Sequence, residues 1–275
     1  MYKVRKKRYR RTVRSHKKAD IMALSIGKIA KALAVAFFAV LFYHFFIRPY
    51  AYRWRFIPGR EGYGVCMPVG YKVHGIDVSH YQGVIDWNTL RKGELSKYPI
   101  RFVFVKATDG SGRIDENFAR NFENARLYGF IRGAYHYYNP DMPAMQQADL
   151  FINQVRLEAG DLPPVLDVEK IGDKNKNELK VSLKVWLDRV EMHYGVKPII
   201  YASYKFRKSY LSDSIFNKYP YWIAHYYVDS VAKKQKWTFW QHTDIATIPG
   251  IKEDVDLNIF NGSLADLQSM TIGKE

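Results

Sequence analysis

The residues best suited to chemistry stand at Leu166-Asp167-Val168-Glu169, where an apolar run beginning at Pro163-Pro164 ends in two carboxylates one residue apart. Extended chain alternates its side chains between two faces, so Asp167 and Glu169 should project to the same side. Ionised carboxylates are rarely buried without partners, and two on one face repel each other. A site that keeps such a pair usually needs one acid protonated and the other charged. That is the division of labour of glycosidic bond hydrolysis, in which one acid protonates the leaving oxygen and the other opposes the developing positive charge. A strand edge whose acids pair with Lys or Arg would carry the same four residues, so the surrounding elements have to decide.

Those elements have a rhythm. Short apolar or β-branched runs occur at 73–79, 102–108, 131–138, 164–169, 198–204, 221–226, 237–243 and 255–260. Helix-like stretches separate the earlier ones at 116–128, 142–159 and 178–194, with Gly129 and Gly195 as plausible helix stops. The connections after Tyr226 and Thr243 look too short for full helices. Eight strands alternating with helices predict an α/β fold: an irregular, TIM-like (β/α) barrel of parallel strands with incomplete helices in its last third. Active sites of such barrels lie at the C-terminal strand ends. Here those ends carry Asp77 and Ser79, Lys106 and Asp109, His136 and Tyr138, Asp167 and Glu169, Tyr201 and Ser203, His225 and Tyr226, Gln241, and Asp256 and Asn258. Rings beside acids suit a carbohydrate, whose C–H faces stack on aromatics while acids hold its hydroxyls.

These strand ends resemble those of the family 25 glycoside hydrolases, lysozymes that cut the glycan of bacterial cell walls. The matching segments are His74-Gly-Ile-Asp-Val-Ser-His-Tyr-Gln-Gly83 with Ile85-Asp-Trp87, Phe104-Val-Lys-Ala-Thr-Asp-Gly110, Gly133-Ala-Tyr-His-Tyr137, Leu166-Asp-Val-Glu169, Ile200-Tyr-Ala-Ser203, Trp222-Ile-Ala-His-Tyr226, Trp240-Gln-His-Thr243 and Asp254-Val-Asp-Leu-Asn258. They span residues 71–262 in the family's order. The resemblance implies an N-acetylmuramidase acting on the β-1,4 bond between N-acetylmuramic acid and N-acetylglucosamine of bacterial peptidoglycan. By its pattern Glu169 is the general acid, its pKa raised by the negative Asp167 beside it. Asp167 then stays ionised, either stabilising the oxocarbenium-like transition state or holding the substrate's 2-acetamido group. Asp77 and Asp256, on the first and last strands, are neighbours across the barrel closure and complete the catalytic set. Tyr137, Tyr201, Trp222 and Gln241 are the expected sugar contacts. Asp109, where many members have Glu, is expected to line the groove. Same-face residues along a strand lie about 6.5–7 Å apart at the backbone, between the retaining and inverting ranges, which leaves the stereochemistry open.

Three rival classes fit the residues less well. A chitinase carries Asp-x-Asp-x-Glu on one strand, and Val165 stands at the first of those positions. An inactive, membrane-anchored peptidoglycan-binding module would have no use for a cluster of like-charged carboxylates. A nucleic-acid binder is suggested by the net charge of +16, but residues 1–31 hold twelve Lys and Arg against one acid, Asp20, leaving only +5 for the other 244 residues. The basicity belongs to a tail that precedes an apolar run from Ile29 to Ile47, in which Lys31 is the only charge.

About 20 residues cross a bilayer, so this run is just long enough with Lys28 and Lys31 snorkelling to the headgroups. Tyr43, Arg48, Tyr50, Tyr52 and Trp54 would form a belt at the far side. No small-x-small cleavage site follows, only Arg48-Pro49-Tyr50-Ala51, which argues for an uncleaved anchor over a signal peptide. The expected organisation is a basic cytoplasmic tail (1–28), a transmembrane helix (29–47), a Gly- and Pro-rich linker (48–70) and the barrel (71–270). The protein is then a single-pass protein of the bacterial inner membrane with its barrel periplasmic or extracellular. The one cysteine, Cys66, allows no intrachain disulfide. The histidines show no metal-ligand spacing, so neither metal nor other cofactor is expected. Nor is a nucleic-acid partner, and the expected state is a monomer.

Overall fold

The computed structural model describes residues 27–47, 61–93, 96–232 and 236–273. The chain divides into two units, residues 1–55 and 56–275. In the first, helix α1 (Gly27–Phe46) has a mean hydropathy of 2.0 and is long and apolar enough to cross a membrane. Its final turns, Tyr43–Ile47, widen into a π-helix. Leu33, Phe37, Phe38 and Val40 are all exposed, and they point in several directions around the axis. The expected tail up to residue 26 and the belt residues Arg48, Tyr50, Tyr52 and Trp54 lie outside the described residues.

In the second unit a hairpin, β1 (Glu61–Gly62) and β2 (Val65–Cys66), precedes eight strands, β3 (Val73–Val78), β4 (Ile100–Asp109), β5 (Ile131–Tyr137), β6 (Val165–Asp167), β7 (Ile199–Ser203), β8 (Tyr221–Ala224), β9 (Phe239–Ala246) and β10 (Val255–Phe260). The eight close into a barrel in the order β10-β3-β4-β5-β6-β7-β8-β9. All eight expected runs are strands. The pairings from β3 to β9 are parallel, but β10 runs antiparallel to both β9 and β3. The expectation of parallel strands throughout is corrected at this one strand. A parallel return needs a crossover of a dozen residues or more, and the connection 247–254 is too short for one. Asp256 therefore reaches the active end near the start of its strand, opposite Asp77.

Alternation along the strands sorts the core. Phe102, Phe104, Val165, Ile199, Trp222, Phe239 and Phe260 fill the barrel, while Ile76, Val103, Val105, Leu166, Ile200, Ile223 and Leu257 pack outward. The outer layer is closed by α2 (Trp87–Lys92), α3 (Phe118–Leu127), α4 (Ala144–Gln154), α5 (Lys176–Tyr194), α6 (Tyr204–Tyr210) and α7 (Leu264–Ser269). Helix α5 starts two residues before the expected 178, because the Asn175 side chain accepts from the Glu178 amide while Glu178 reaches back to Asn175. No helix follows β8 or β9 among the described residues.

The stretch 48–70, expected as linker, contains the hairpin of β1 and β2. Tyr63 and Gly64 both take positive φ, 56° and 73°, which suits the tight turn of a two-residue hairpin. The Tyr63 hydroxyl donates to the Tyr98 carbonyl at 2.7 Å, and Met67 is buried in the outer core.

The barrel floor depends on two missing side chains. A Cβ on Gly133 would lie 2.6 Å from the Phe104 ring, and one on Gly75 would overlap the Phe102 ring. Those rings plug the barrel beneath the site. Gly75→Ala should therefore cost about 1–3 kcal/mol of stability by overpacking, read as a lower denaturation midpoint of the full-length protein in mild detergent.

Candidate active site

A cavity of about 220 Å³ opens at the end of the barrel where the parallel strands finish and β10 begins. Asp77 enters it from β3, Tyr135 and Tyr137 from β5, Asp167 from β6, Tyr201 from β7, Trp222 from β8, Gln241 from β9 and Asp256 from β10. Glu169, two residues beyond β6, stands exposed at its mouth. Sheet-like hydrogen bonds continue past the strand, with the Tyr138 amide donating to the Asp167 carbonyl and the Val168 amide to the Tyr201 carbonyl. That extension puts both acids on the inner side and buries Val168 on the other.

The floor is aromatic and its polar atoms are committed. Trp222 stacks on Phe104 at 4.4 Å and meets Tyr201 edge-on at 4.6 Å. Its indole N–H donates to Asn258 Oδ1 at 2.8 Å, and Asn258 Nδ2 donates in turn to Asp77 Oδ2 at 2.7 Å. Gln241 Nε2 donates to that same oxygen at 2.9 Å. Gln241 Oε1 accepts the hydroxyls of Tyr201 and Tyr226, each at 2.6 Å. Two donors on its oxygen leave the amide nitrogen only one direction, toward Asp77. Trp222 and Gln241 thus line the cavity as expected, but they spend their polar groups on Asn258 and Asp77. Of the expected sugar contacts, the Tyr137 ring stays partly open, with the ammonium groups of Lys106 and Lys170 at 5.0 and 5.7 Å from its centre.

All four carboxyls are held above the ordinary carboxylate range. Burial is the main cause for Asp167, which is pushed well up, and the charges of Glu169 and Asp77 add to it. Asp167 Oδ1 is buried with no hydrogen-bond partner. Burial is also the first cause for Glu169, opposed by a hydrogen bond from Tyr137 and the charges of Lys170 and Lys106. The expectation that Asp167 stays ionised and raises Glu169 is therefore corrected: Asp167 is the more strongly raised of the two, and burial is the first cause for both. Desolvation does the raising, and it acts hardest on the deeper acid. Asp77 and Asp256 face each other across the closure and titrate as a pair. Burial lifts them to about 7 and about 9, their mutual repulsion adds to the lift of Asp256, and the amides of Asn258 and Gln241 hold Asp77 back.

Asp109 does not reach this cavity; it lines a neighbouring cleft. His136 points outward, bonded to Thr108 at 2.7 Å and Gln147 at 3.0 Å. Tyr81, Gln82 and Tyr135 line the cavity without having been singled out from the sequence. Tyr135 could have been found by alternation from Tyr137, whereas the His80–Gln82 turn gave no such signal. Among the described residues no group of three or more His, Cys, Asp or Glu is arranged to hold a metal ion.

A barrel with paired acids above an aromatic floor is the frame of a glycosidase, and comparison with known proteins gives the family. The sequence pattern of the family described as glycosyl hydrolases family 25 matches residues 76–251. Lysozyme M1 of Streptomyces globisporus is 32% identical over 72% of this chain and 71% of its own. An Escherichia coli O6:H1 protein carrying the name "Uncharacterized protein YegX" is 37% identical over 95% of this chain and 97% of its own. The solved structure of a family 25 glycosyl hydrolase from Bacillus anthracis superposes with a TM-score of 0.67 at 34% identity, over 74% of this chain and 94% of that one. The chain belongs to the family 25 glycosyl hydrolases. It is a glycoside hydrolase of the lysozyme type.

The raised carboxyls carry a pH dependence whose sign is fixed. Asp77 and Asp256 keep protons in the folded protein at pH values where an unfolded aspartate, at 3.8, has lost them. The folded state then holds more protons than the unfolded chain between about pH 4 and about pH 9, so stability falls as pH rises through that window. Buried His74 and His242, lowered chiefly by desolvation to about 4 and about 3, act oppositely, but only below their ordinary value of 6.5. Denaturation midpoints at pH 7 and pH 9 isolate the carboxyls. The wild type should lose stability between the two, and Asp256→Asn should lose less.

Proposed function

We propose that this protein is an N-acetylmuramidase that cleaves the β-1,4 bond between N-acetylmuramic acid and N-acetylglucosamine in bacterial peptidoglycan. One observation carries the reading: Asp167, buried, and Glu169, at the mouth, line one cavity from the end of the same strand, with Asp77 and Asp256 on its far wall. The acetamido N–H of a muramyl residue seated there would donate to the Asp167 carboxyl, and accepting it favours the ionised form.

In this reading Glu169 gives its proton to the glycosidic oxygen and the leaving sugar departs. The acetamido carbonyl oxygen closes on the anomeric carbon while Asp167 stabilises the positive charge on its nitrogen. Glu169, now a carboxylate, takes a proton from the water that opens the ring. Asp77, fixed by Gln241 and Asn258, and Asp256 opposite it line the wall beside that water. Two displacements at one carbon return its original configuration, so the products should be β-anomers.

The barrel is tied to the inner membrane by α1 with the catalytic unit outside the cytoplasm. The apolar length of α1 and the confinement of positive charge to its N-terminal side support this topology. The cavity is lined from the eight strands of one barrel, and the reading takes the protein as a monomer working on a polymer.

Digestion of purified peptidoglycan by the full-length protein in detergent tests the activity. Wild type should release muropeptides with muramic acid at the reducing end, in the β configuration by NMR at early times. Glu169→Gln should fall by about 10²–10⁴-fold. No release by wild type, from a folded protein that still sediments with the glycan, would replace this reading with that of an inactive binding module. For the topology, Cys66 should react with a membrane-impermeant maleimide in spheroplasts, and protection of Cys66 until lysis would reverse the orientation.

A further inference from the structure

The catalytic cavity has a neighbour. A second cleft of about 260 Å³ begins at Tyr81 and Lys106, which line both, and continues past His80, Asp109, Arg113 and Glu116. Its walls are held open from within. Asp115, buried under the cleft, takes the His80 imidazole at 2.7 Å and the His80 backbone amide at 3.0 Å, which fixes the turn carrying Tyr81. Tyr81 is 73% exposed and lies against the His80 ring at 4.1 Å, a platform at the junction of the two clefts. On the other wall Asp109 accepts from the Ser111 amide at 2.8 Å and from Arg113 at 3.3 Å, closing the loop that presents Arg113. Burial raises the Asp109 carboxyl, but those bonds and the charges of Arg113 and Lys106 outweigh it and keep it ionised.

The two clefts differ in chemistry. The first is lined mainly by rings, amides and the four acids, with Lys106 as its one cation among the described residues. The second is rimmed by ionic groups: the Lys106 ammonium, the Arg113 guanidinium (its side chain 78% exposed, with one edge on the Asp109 carboxylate) and Glu116. In peptidoglycan the saccharide backbone offers hydroxyl and acetamido groups, and the ionic groups are on the peptide that branches from each muramyl residue. A cleft of mixed charge continuous with the muramyl site therefore matches the branch and not the backbone.

We propose that this second cleft binds the stem peptide of the muramyl residue whose bond is cut, with Arg113 and Lys106 taking its carboxylates and Glu116 facing its free amine. The assignment rests on the muramidase reading above. It makes the enzyme prefer glycan that still carries peptide.

The test compares the full-length protein in detergent on intact peptidoglycan and on the same glycan stripped of peptide by an amidase, with the lactyl carboxylates that this frees capped as methylamides. Arg113 lies outside the catalytic cavity and is exposed, so Arg113→Glu should fold normally. Its KM on the intact polymer should rise at least about fivefold while kcat holds, and the effect should shrink at high salt. On stripped glycan wild type and variant should be alike. Equal losses on both substrates would make the cleft a saccharide subsite, and no loss on either would make it bystander surface; both overturn the assignment. A wild type that cleaves neither substrate would overturn the muramidase reading instead.

Discussion

The site depends on how the barrel closes. Seven parallel strands leave one gap, and β10 fills it by running backwards between β9 and β3. Only in that direction does the short connection 247–254 let Asp256 arrive at the active end, and its register sets it opposite Asp77. The same strand brings Asn258 to the Asp77 carboxylate and to the indole of Trp222. A parallel last strand would have put the residue at its far end, Phe260, in that place. The irregularity of the fold is therefore what assembles the carboxyl wall.

Gathering four acids in one cavity is unfavourable, and the structure shows how the cost is distributed. Asp77 is compensated by two amide donors, so it loses protons before Asp256, which lacks them. Asp167 has burial and like charge against it, with an unpaired oxygen. Glu169 has solvent, a tyrosine hydroxyl and two lysines to favour its charge. Each acid has its own environment, and with it its own readiness to donate or accept a proton. That spread is what acid–base chemistry at a single carbon needs, since one group must give a proton while its neighbour stays able to balance positive charge.

Much of this was legible in the chain. Strands could be read because the barrel demands apolar runs at each turn of the fold, and Asp167 with Glu169 because alternation is local geometry. What escaped depended on neighbours distant in sequence. The direction of β10 is set by loop length and closure, not by the strand's own residues. The proton distribution follows burial, which no single segment encodes. Gln241 reads as a sugar contact until Tyr201 and Tyr226 are seen on its oxygen. The hairpin 61–66 was hidden because Gly62 and Gly64 look like linker glycines, although Gly64 is there for its positive φ and Gly62 because a side chain would strike the Tyr98 ring at 2.6 Å.

The Tyr201–Gln241–Asp77 chain also says which part of the site can tolerate movement. Gln241 is buried with both ends of its amide engaged, and the aromatic floor beneath it is packed against Phe104 and, through that ring, against Gly133. This side is packed and hydrogen-bonded from the barrel axis outward. Glu169 stands past the end of its strand, exposed, beside the half-open ring of Tyr137. A polymer entering from solvent meets the acid first and the fixed wall last. In the proposed reaction the outer acid is the one that meets the glycosidic oxygen, and the packed wall faces the sugar that stays.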